Sequence, residues 1–240
     1  TDIRREATMI RLRRSGERGR TVTEWLDSRH TFSFNRYYDP EWMGFRSLRV
    51  INEDRIAGGG RFEWHPHRDM EILTWVLSGA LEHEDSTGAR GVLRPGDLQK
   101  MSAGTGIYHS EANASRTEPL HLLQIWIHPS QRALAPDYRE AHFPLEARWN
   151  RFCLLASPAP RDEALPLHQG AEVWAAVLEP GRVAEHPLAP GRHAWIQVAS
   201  GAVEVNGTAL EAGDGAALSD EPAGRIIALR QAEILLFDLA

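Results

Sequence analysis

The 240-residue chain has one cysteine, Cys153, and one lysine, Lys100, so nearly all of its positive charge is arginine. A lone cysteine closes no internal disulfide, and a chain of this length buries a core without covalent staples. No apolar run is long enough to span a bilayer and no signal-type stretch follows Thr1, which together with the cysteine count reads as a cytoplasmic protein. Helical periodicity is scarce: Gln131 to Tyr138 offers a turn or two, interrupted by Pro136. A positive charge excess is also lacking. The net charge of -6 and a pI near 6.0 exclude a chain-wide electrostatic footprint for nucleic acid. The segment Arg4 to Arg20 is locally basic, but Arg11, Arg13, Arg14, Arg18 and Arg20 lack a recognition helix or interleaved aromatics and read as a solvated face or a disordered end. Thr1 to Thr8 carry no periodicity, and Met9-Ile10 reads as the natural start, with the first eight residues a vector remnant or a disordered end.

What the chain does contain is a succession of short β-branched and apolar runs cut by Gly, Pro and Asp. Leu48 to Asn52, Gly60 to Trp64, Glu71 to Leu77, Ala80 to Glu84 and His121 to Ile127 all read as strands. The fold class is therefore all-β, mostly antiparallel. A repeat relates the two halves. Val76-Leu77-Ser78-Gly79-Ala80-Leu81-Glu82 runs on to Leu93-Arg94-Pro95-Gly96-Asp97. Val198-Ala199-Ser200-Gly201-Ala202-Val203-Glu204 runs on to Leu210-Glu211-Ala212-Gly213-Asp214 in the same order. Strand, corner, strand, turn, strand is the grammar of a small jelly-roll barrel, so the expectation is two barrels in tandem with few short helices. The Pro-rich stretch Ser157 to Pro166 marks the join, which divides the chain into domains 9–156 and 157–240. Two barrels that bury their apolar faces against each other point to a monomer.

Chemistry concentrates in the first half. His65-Pro66-His67 and Glu71 fall at alternate positions of one extended segment between Gly59 and Gly79, so all three can share a face turned into a barrel. After Gly104-Thr105-Gly106, His109 and Glu111 repeat the spacing on a second strand. Imidazoles and carboxylates converging in a barrel form a coordination shell for a divalent transition metal. A His-x-His pair alone is weak evidence; the second pair, the spaced glycines and the predicted barrel make the metal reading the stronger one. The turn Gly104 to Gly106 is explained equally by a need for positive φ. His30, His83, His121 and His128 read as structural or surface residues, at most as partners of a ligand. Cys153, in the apolar run Phe152 to Ala156, reads as a buried thiol rather than a nucleophile.

The second half has no matching set. Counting from its Ser-Gly-Ala corner and its Gly-Asp turn lands on Pro187, Ala189, Ile226 and Ala228, none of which ligates a metal through its side chain. His186 and His193 fall out of step and read as surface residues. One metal, in the first barrel, is expected.

At these residues the sequence resembles the cupin superfamily and, within it, the pirin family of bicupins, whose bacterial members include quercetin 2,3-dioxygenases. The resemblance is carried by Trp64-His65-Pro66-His67-Arg68-Asp69-Met70-Glu71, Glu82-His83-Glu84-Asp85-Ser86-Thr87-Gly88, Pro95-Gly96-Asp97-Leu98-Gln99 and Met101 to Glu111. Phe32-Ser33-Phe34-Asn35 and Tyr37-Tyr38-Asp39-Pro40 add to it, so that it covers Arg29 to about His128. Two positions depart from the pattern: Gly104 stands where the general cupin motif has Pro, and Asp69-Met70 where the family has Gly-Phe, with Asp69 expected to alter the local charge or pocket. The spacing leaves Glu71 and Glu111 as rival carboxylate ligands. The resemblance implies His65, His67, His109 and Glu111 as the ligands, with Glu71 an outer carboxylate that orients an imidazole. It also implies Fe(II) as the metal, although the residues do not separate it from Mn, Ni, Co, Cu or Zn.

The activity the resemblance implies is dioxygenation of a quercetin-like flavonol, with dioxygen as co-substrate. In it Glu111 doubles as ligand and as the base that takes the 3-hydroxyl proton. The alternative it carries is a metal-binding transcriptional co-regulator or redox sensor that acts through protein partners without turnover.

Overall fold

The computed structural model describes residues 9–240, so the reading of Thr1 to Thr8 lies outside the described residues. Among the described residues the architecture is four sheets, two of seven strands and two of four, antiparallel except for the short parallel pair Cys153–Ser157 with Leu165–Pro166. One seven-stranded sheet runs in the order Asp137–His142, Asp97–Ser102, Glu71–Ser78, Leu120–Ile127, Leu48–Ile56, Leu26–His30, Gly19–Val22. With the four-stranded sheet Arg61–His67, Ile107–Asn113, Leu81–Asp85, Arg90–Leu93 it forms the first jelly-roll barrel. The second barrel repeats the plan. Its large sheet includes Gly215–Ser219, His193–Ser200, Ala232–Leu239 and Glu172–Leu178, and its small one is Val183–Pro187, Ala223–Ala228, Ala202–Val205, Thr208–Glu211.

The central strands are buried almost end to end because each faces two cores. In Glu71–Ser78 the period of two sends Ile72 and Val76 into the first barrel, while Leu73 and Trp75 pack against the other barrel. Ala232–Leu239 does the reverse, with Ile234 and Leu236 inside its own barrel and Leu235, Phe237 and Leu239 at the junction. The two large sheets thus lie back to back over one shared apolar cluster in which the rings of Phe32 and Trp195 sit 4.9 Å apart. Trp75 Nε1 donates to Glu233 Oε1 across the junction (2.9 Å).

Each barrel borrows its last strand, and here the structure departs from the expected division at residues 156 and 157. Met9–Arg13 pairs with Gly215–Ser219 of the second barrel, and Cys153–Ser157 pairs with Glu172–Leu178, so both belong to the second large sheet. The matching edge of the first barrel is taken by Asp137–His142, from the connection between barrels. That strand replaces part of the short helix expected over Gln131 to Tyr138: Ala133 has φ +57° and Pro136 lacks the amide a helix needs, so the chain runs extended. The helical pieces are Ser15–Glu17 and Leu145–Arg148. No helix of the described residues is long and apolar enough to cross a membrane.

Of the arginines near the front, Arg11 and Arg20 are exposed as expected of a solvated face, whereas Arg13 and Arg18 are buried and Arg14 is half-buried. Arg13 is buried and donates to Thr31 O, Arg14 pairs with Asp214 (2.8 Å), Arg18 with Glu53 (2.8 Å) and Arg20 with Asp27 (2.7 Å). Arg11 lies over the Trp42 ring. Their charge is consumed in lashing the N-terminal arm across both barrels.

Candidate metal centre

The small sheet of the first barrel positions the site. Ile107–Asn113 is its second strand, with Arg61–His67 on one edge and Leu81–Asp85 on the other. The register sets His65 opposite His109, then slips by one residue at a bulge before Glu111, which lies opposite Phe62 on one side and His83 on the other. Alternation turns His109 and Glu111 to one face, and the bulge re-aims them relative to the facing strand.

The rings of His65 and His109 are 4.3 Å apart, and His67 lies 4.9 Å from each of them. Nitrogens of these three all lie within 4.8 Å of one another; so do ligand atoms of His83, His109 and Glu111. His109 is common to both groups. Gln124, on the strand Leu120–Ile127, donates to Glu111 Oε2 (2.8 Å) and accepts from Trp126 Nε1 (3.3 Å).

Glu71 takes no part, contrary to the expectation that it orients an imidazole. The extended segment from His65 breaks at Arg68 to Met70, where Asp69 turns with φ +48°, and Glu71 begins a strand of the other sheet. It is buried beside Lys100 (Nζ to Oε2, 3.3 Å) and accepts from the backbone of His168 (3.3 Å). The one lysine and its carboxylate therefore tie the first barrel to the connection and the second barrel. Asp69 holds the connection too, accepting from Ala133 N (2.7 Å), and does not line the cavity beside the histidines. Glycine at 104 has the same cause: a Cβ there would sit 2.0 Å from Leu134 O.

His83, read from the sequence as structural or surface and at most a partner of a ligand, is buried in the cluster. Its Nε2 bonds Asp85 Oδ2 (3.0 Å), and Tyr138 stacks on its ring at 4.7 Å. Burial works to raise the Asp85 carboxyl, yet hydrogen bonds from Thr87 and His83 outweigh it and keep it below the usual range. An ionised Asp85 accepts from Nε2 of His83, whose Nδ1 is buried without a hydrogen-bond partner. The signal was present in the motif Glu82 to Gly88; the cross-strand register that brings it to Glu111 was not.

The donor set fits a divalent transition metal. Both nitrogens of His109, Nδ1 of His83 and Oε1 of Glu111 are buried without a hydrogen-bond partner, a costly arrangement that a cation relieves. Desolvation, reinforced by the neighbouring imidazoles, pushes His67 down to about 4 and His109 to about 3, so both are neutral at pH 7, the form that can ligate a metal. Burial pushes the Glu111 carboxyl up, with the histidines opposing the rise. Beside the cluster opens a cavity of about 800 Å³ walled by Trp25, Phe34, Phe62, Trp64 and Trp126, within the size range of small-molecule sites.

The equivalent place in the second barrel is differently filled. His186 stands opposite Gly224 as His65 stands opposite His109, and Ile226 lies opposite Val205 as Glu111 lies opposite His83. The count that put Pro187 and Ala189 in the histidine positions is off because the loops differ in length between the repeats. His186 is buried, not on the surface, and bonds Asp238 (2.9 Å), which Arg192 also holds (2.6 Å). His193 is buried as well, between Arg46 and Ser219. Around Ile226 and Val205 the interior is one continuous apolar cluster, whereas in the first barrel the polar site divides two smaller ones. Cys153 is half-buried, and burial pushes its thiol up, in keeping with an inert role.

Two jelly rolls back to back, one carrying a His/Glu cluster at the mouth of an aromatic cavity, define a two-domain cupin of the metal-binding type. Family models agree, Pirin matching residues 11–127 and the quercetinase C-terminal cupin domain matching residues 154–239. The chain is 48% identical to the quercetin 2,3-dioxygenase of Escherichia coli K12 over 96% of its own length and 99% of the relative's. It is 46% identical to a putative quercetin 2,3-dioxygenase of Pseudomonas aeruginosa over 97% of its length and all of the relative's. The crystal structure of the bacterial pirin YhhW from Escherichia coli in complex with nickel(II) superposes with a TM-score of 0.91 at 48% identity, covering 96% of this chain and 99% of that one. The protein belongs to the pirin family.

Proposed function

We propose that the protein is a metal-dependent dioxygenase of quercetin-like flavonols, acting at one divalent metal held by His65, His67, His109 and Glu111. The observation that carries this reading is the group of buried, unpartnered nitrogens and carboxylate oxygen beside an aromatic cavity of about 800 Å³. The activity named for the Escherichia coli relative supports the substrate class, and the nickel complex of YhhW supports a divalent ion. The family resemblance favours Fe(II), which suits the same nitrogen and oxygen donors.

When bound, the ion supplies a Lewis acid that favours the deprotonated form of a 3-hydroxy-4-ketone and brings it together with dioxygen. The chain supplies the rest. Trp25, Phe34, Phe62 and Trp126 present apolar walls to a flat aromatic ligand and keep bulk water from the reacting edge. Glu111 is the proton acceptor for the 3-hydroxyl: Gln124 holds its Oε2, itself held by Trp126, which leaves Oε1 free. Asp85 orients His83, whose ring packs against that of His109 with centroids 5.4 Å apart. The shared core between the barrels supports a monomer, and the single cysteine supports a cytoplasmic location.

The test is anaerobic purification, reconstitution with Fe(II), and quercetin consumption under oxygen with detection of carbon monoxide, beside His65→Ala. Turnover lost in the variant is expected. Stoichiometric iron without consumption of quercetin or related flavonols would overturn the reading and favour a role through protein partners.

A further inference from the structure

Behind the aromatic cavity lies a smaller one of about 110 Å³. The two meet at Phe34, Asn35, Phe62 and Gln124, which line both. The far wall of the small cavity is polar, formed by Ser28, His30, Asn52 and Asp54, and Leu26 with the two phenylalanines closes its sides. His30 is fully engaged: Nδ1 bonds Asn52 Oδ1 and Nε2 bonds Thr21 Oγ1, both at 2.8 Å. Asp54 is not. The residue is 3% exposed, and its Oδ1 has no partner. Native interiors seldom leave a buried carboxylate oxygen unmet, because the loss of water is then uncompensated.

A metal is a poor candidate to meet it, since among the described residues no group with metal-ligating geometry includes Asp54. A neutral donor fits better. Apolar sides, one acceptor at the end and room for the edge of a single six-membered ring together describe a phenolic hydroxyl. Burial, followed by the negative charges of Glu111 and Glu53, pushes Asp54 up to about 7, which also disfavours an anionic ligand group there.

We propose that this cavity is a subsite for the pendant hydroxylated ring of the flavonol, with Asp54 accepting the hydrogen bond of a ring hydroxyl. The inference rests on the flavonol reading of the larger cavity. A buried acceptor discriminates by penalising the analogue that leaves it unpaired.

The experiment compares quercetin, which carries hydroxyls on the pendant ring, with galangin, which has none there and is otherwise the same. Dissociation constants are read from tryptophan fluorescence quenching under anaerobic conditions, on nickel-loaded wild type, Asp54→Leu and Asp54→Asn of verified nickel content and circular dichroism. Wild type is expected to prefer quercetin by about tenfold, the worth of meeting one otherwise unpaired buried acceptor. Asp54→Leu should bring that ratio near one chiefly by weakening quercetin, and Asp54→Asn, which keeps a neutral acceptor oxygen, should fall between it and wild type. If all three proteins bind both ligands with the same ratio, the subsite is overturned while the flavonol reading stands. If wild type binds neither flavonol, both are overturned.

Discussion

Replacing Glu111 by glutamine keeps the shape of the side chain and removes its ability to ionise. In the wild-type protein stripped of metal, the carboxyl is 2% exposed, with one oxygen held by Gln124 and the other unpartnered. Burial raises its pKa above the unfolded value of 4.5. A carboxyl shifted in that direction makes its full contribution to stability below pH 4.5 and loses it as pH rises, because the unfolded chain gives up its proton first. At pH 7.5 the metal-free wild type therefore carries a penalty of about 1–3 kcal/mol that the glutamine variant escapes. For a chain of this size each kcal/mol moves Tm by roughly 2–4 °C. Metal-free Glu111→Gln should thus melt several degrees above wild type at pH 7.5, with the gap closing toward pH 5; the depressed histidines are common to both proteins and largely cancel. Nickel at a hundredfold excess over its Kd should then add about 2.7 kcal/mol to wild type and much less to the variant. Scanning calorimetry of chelator-treated and reloaded samples reads all four states. A variant that is no more stable at pH 7.5, and gains as much from nickel as wild type, would refute the assignment of Glu111.

Other perturbations separate the remaining roles. His83→Phe should weaken metal affinity by about 10–100-fold in a competitive chelator titration, the usual effect of losing a group that supports the ligands from behind; unchanged affinity would leave the Asp85 to His83 pair without a part in the site. His65→Ala and His109→Ala should abolish metal retention, whereas Glu71→Gln should retain the metal and lose about 1–3 kcal/mol of stability, because buried Lys100 loses its nearer carboxylate and keeps Asp137 and Ser102. Metal loss in Glu71→Gln without destabilisation would return Glu71 to the ligand sphere. Glu53 tests the barrel junction. Burial works to raise its carboxyl, but His121 and Arg18 overcome that and hold it down at about 2 against 4.5 unfolded. Its contribution of about 3 kcal/mol is present above pH 4.5 and lost as pH falls toward 2, so the stability gap between wild type and Glu53→Gln should narrow between pH 6 and pH 3 in acid melts. A gap independent of pH would refute the pairing.

The strands were legible because alternation and punctuation are local: Glu71 to Leu77 and His121 to Ile127 are expected within a residue of where they form. His65, His67, His109 and Glu111 could be nominated from the sequence because a spacing of two keeps each pair on one face of its strand, with the family resemblance choosing Glu111 over Glu71. His83 was missed, since its place depends on the register between Leu81–Asp85 and Ile107–Asn113 and no single strand contains that information. Glu71 was misplaced for the opposite reason. Its spacing from His65 suits one extended strand, but the turn at Asp69 sends it to another sheet, where Lys100 waits. The arginines of the N-terminal arm looked solvent-facing because Asp214, Glu53 and Asp27 lie far off in the sequence or across a hairpin.

By itself the sequence determined the all-β class, the repeat and the chemical type of the site, since backbone period, turn residues and donor atoms are properties of short segments. Tertiary structure alone decided which strand completes which barrel and where the polar groups of different strands converge. It decided too that Ile226 and Val205 close the second barrel with apolar packing where Glu111 and His83 open the first to a metal. Those outcomes follow from cross-strand register and loop length, which accumulate over the whole chain and are settled only when the sheets pair.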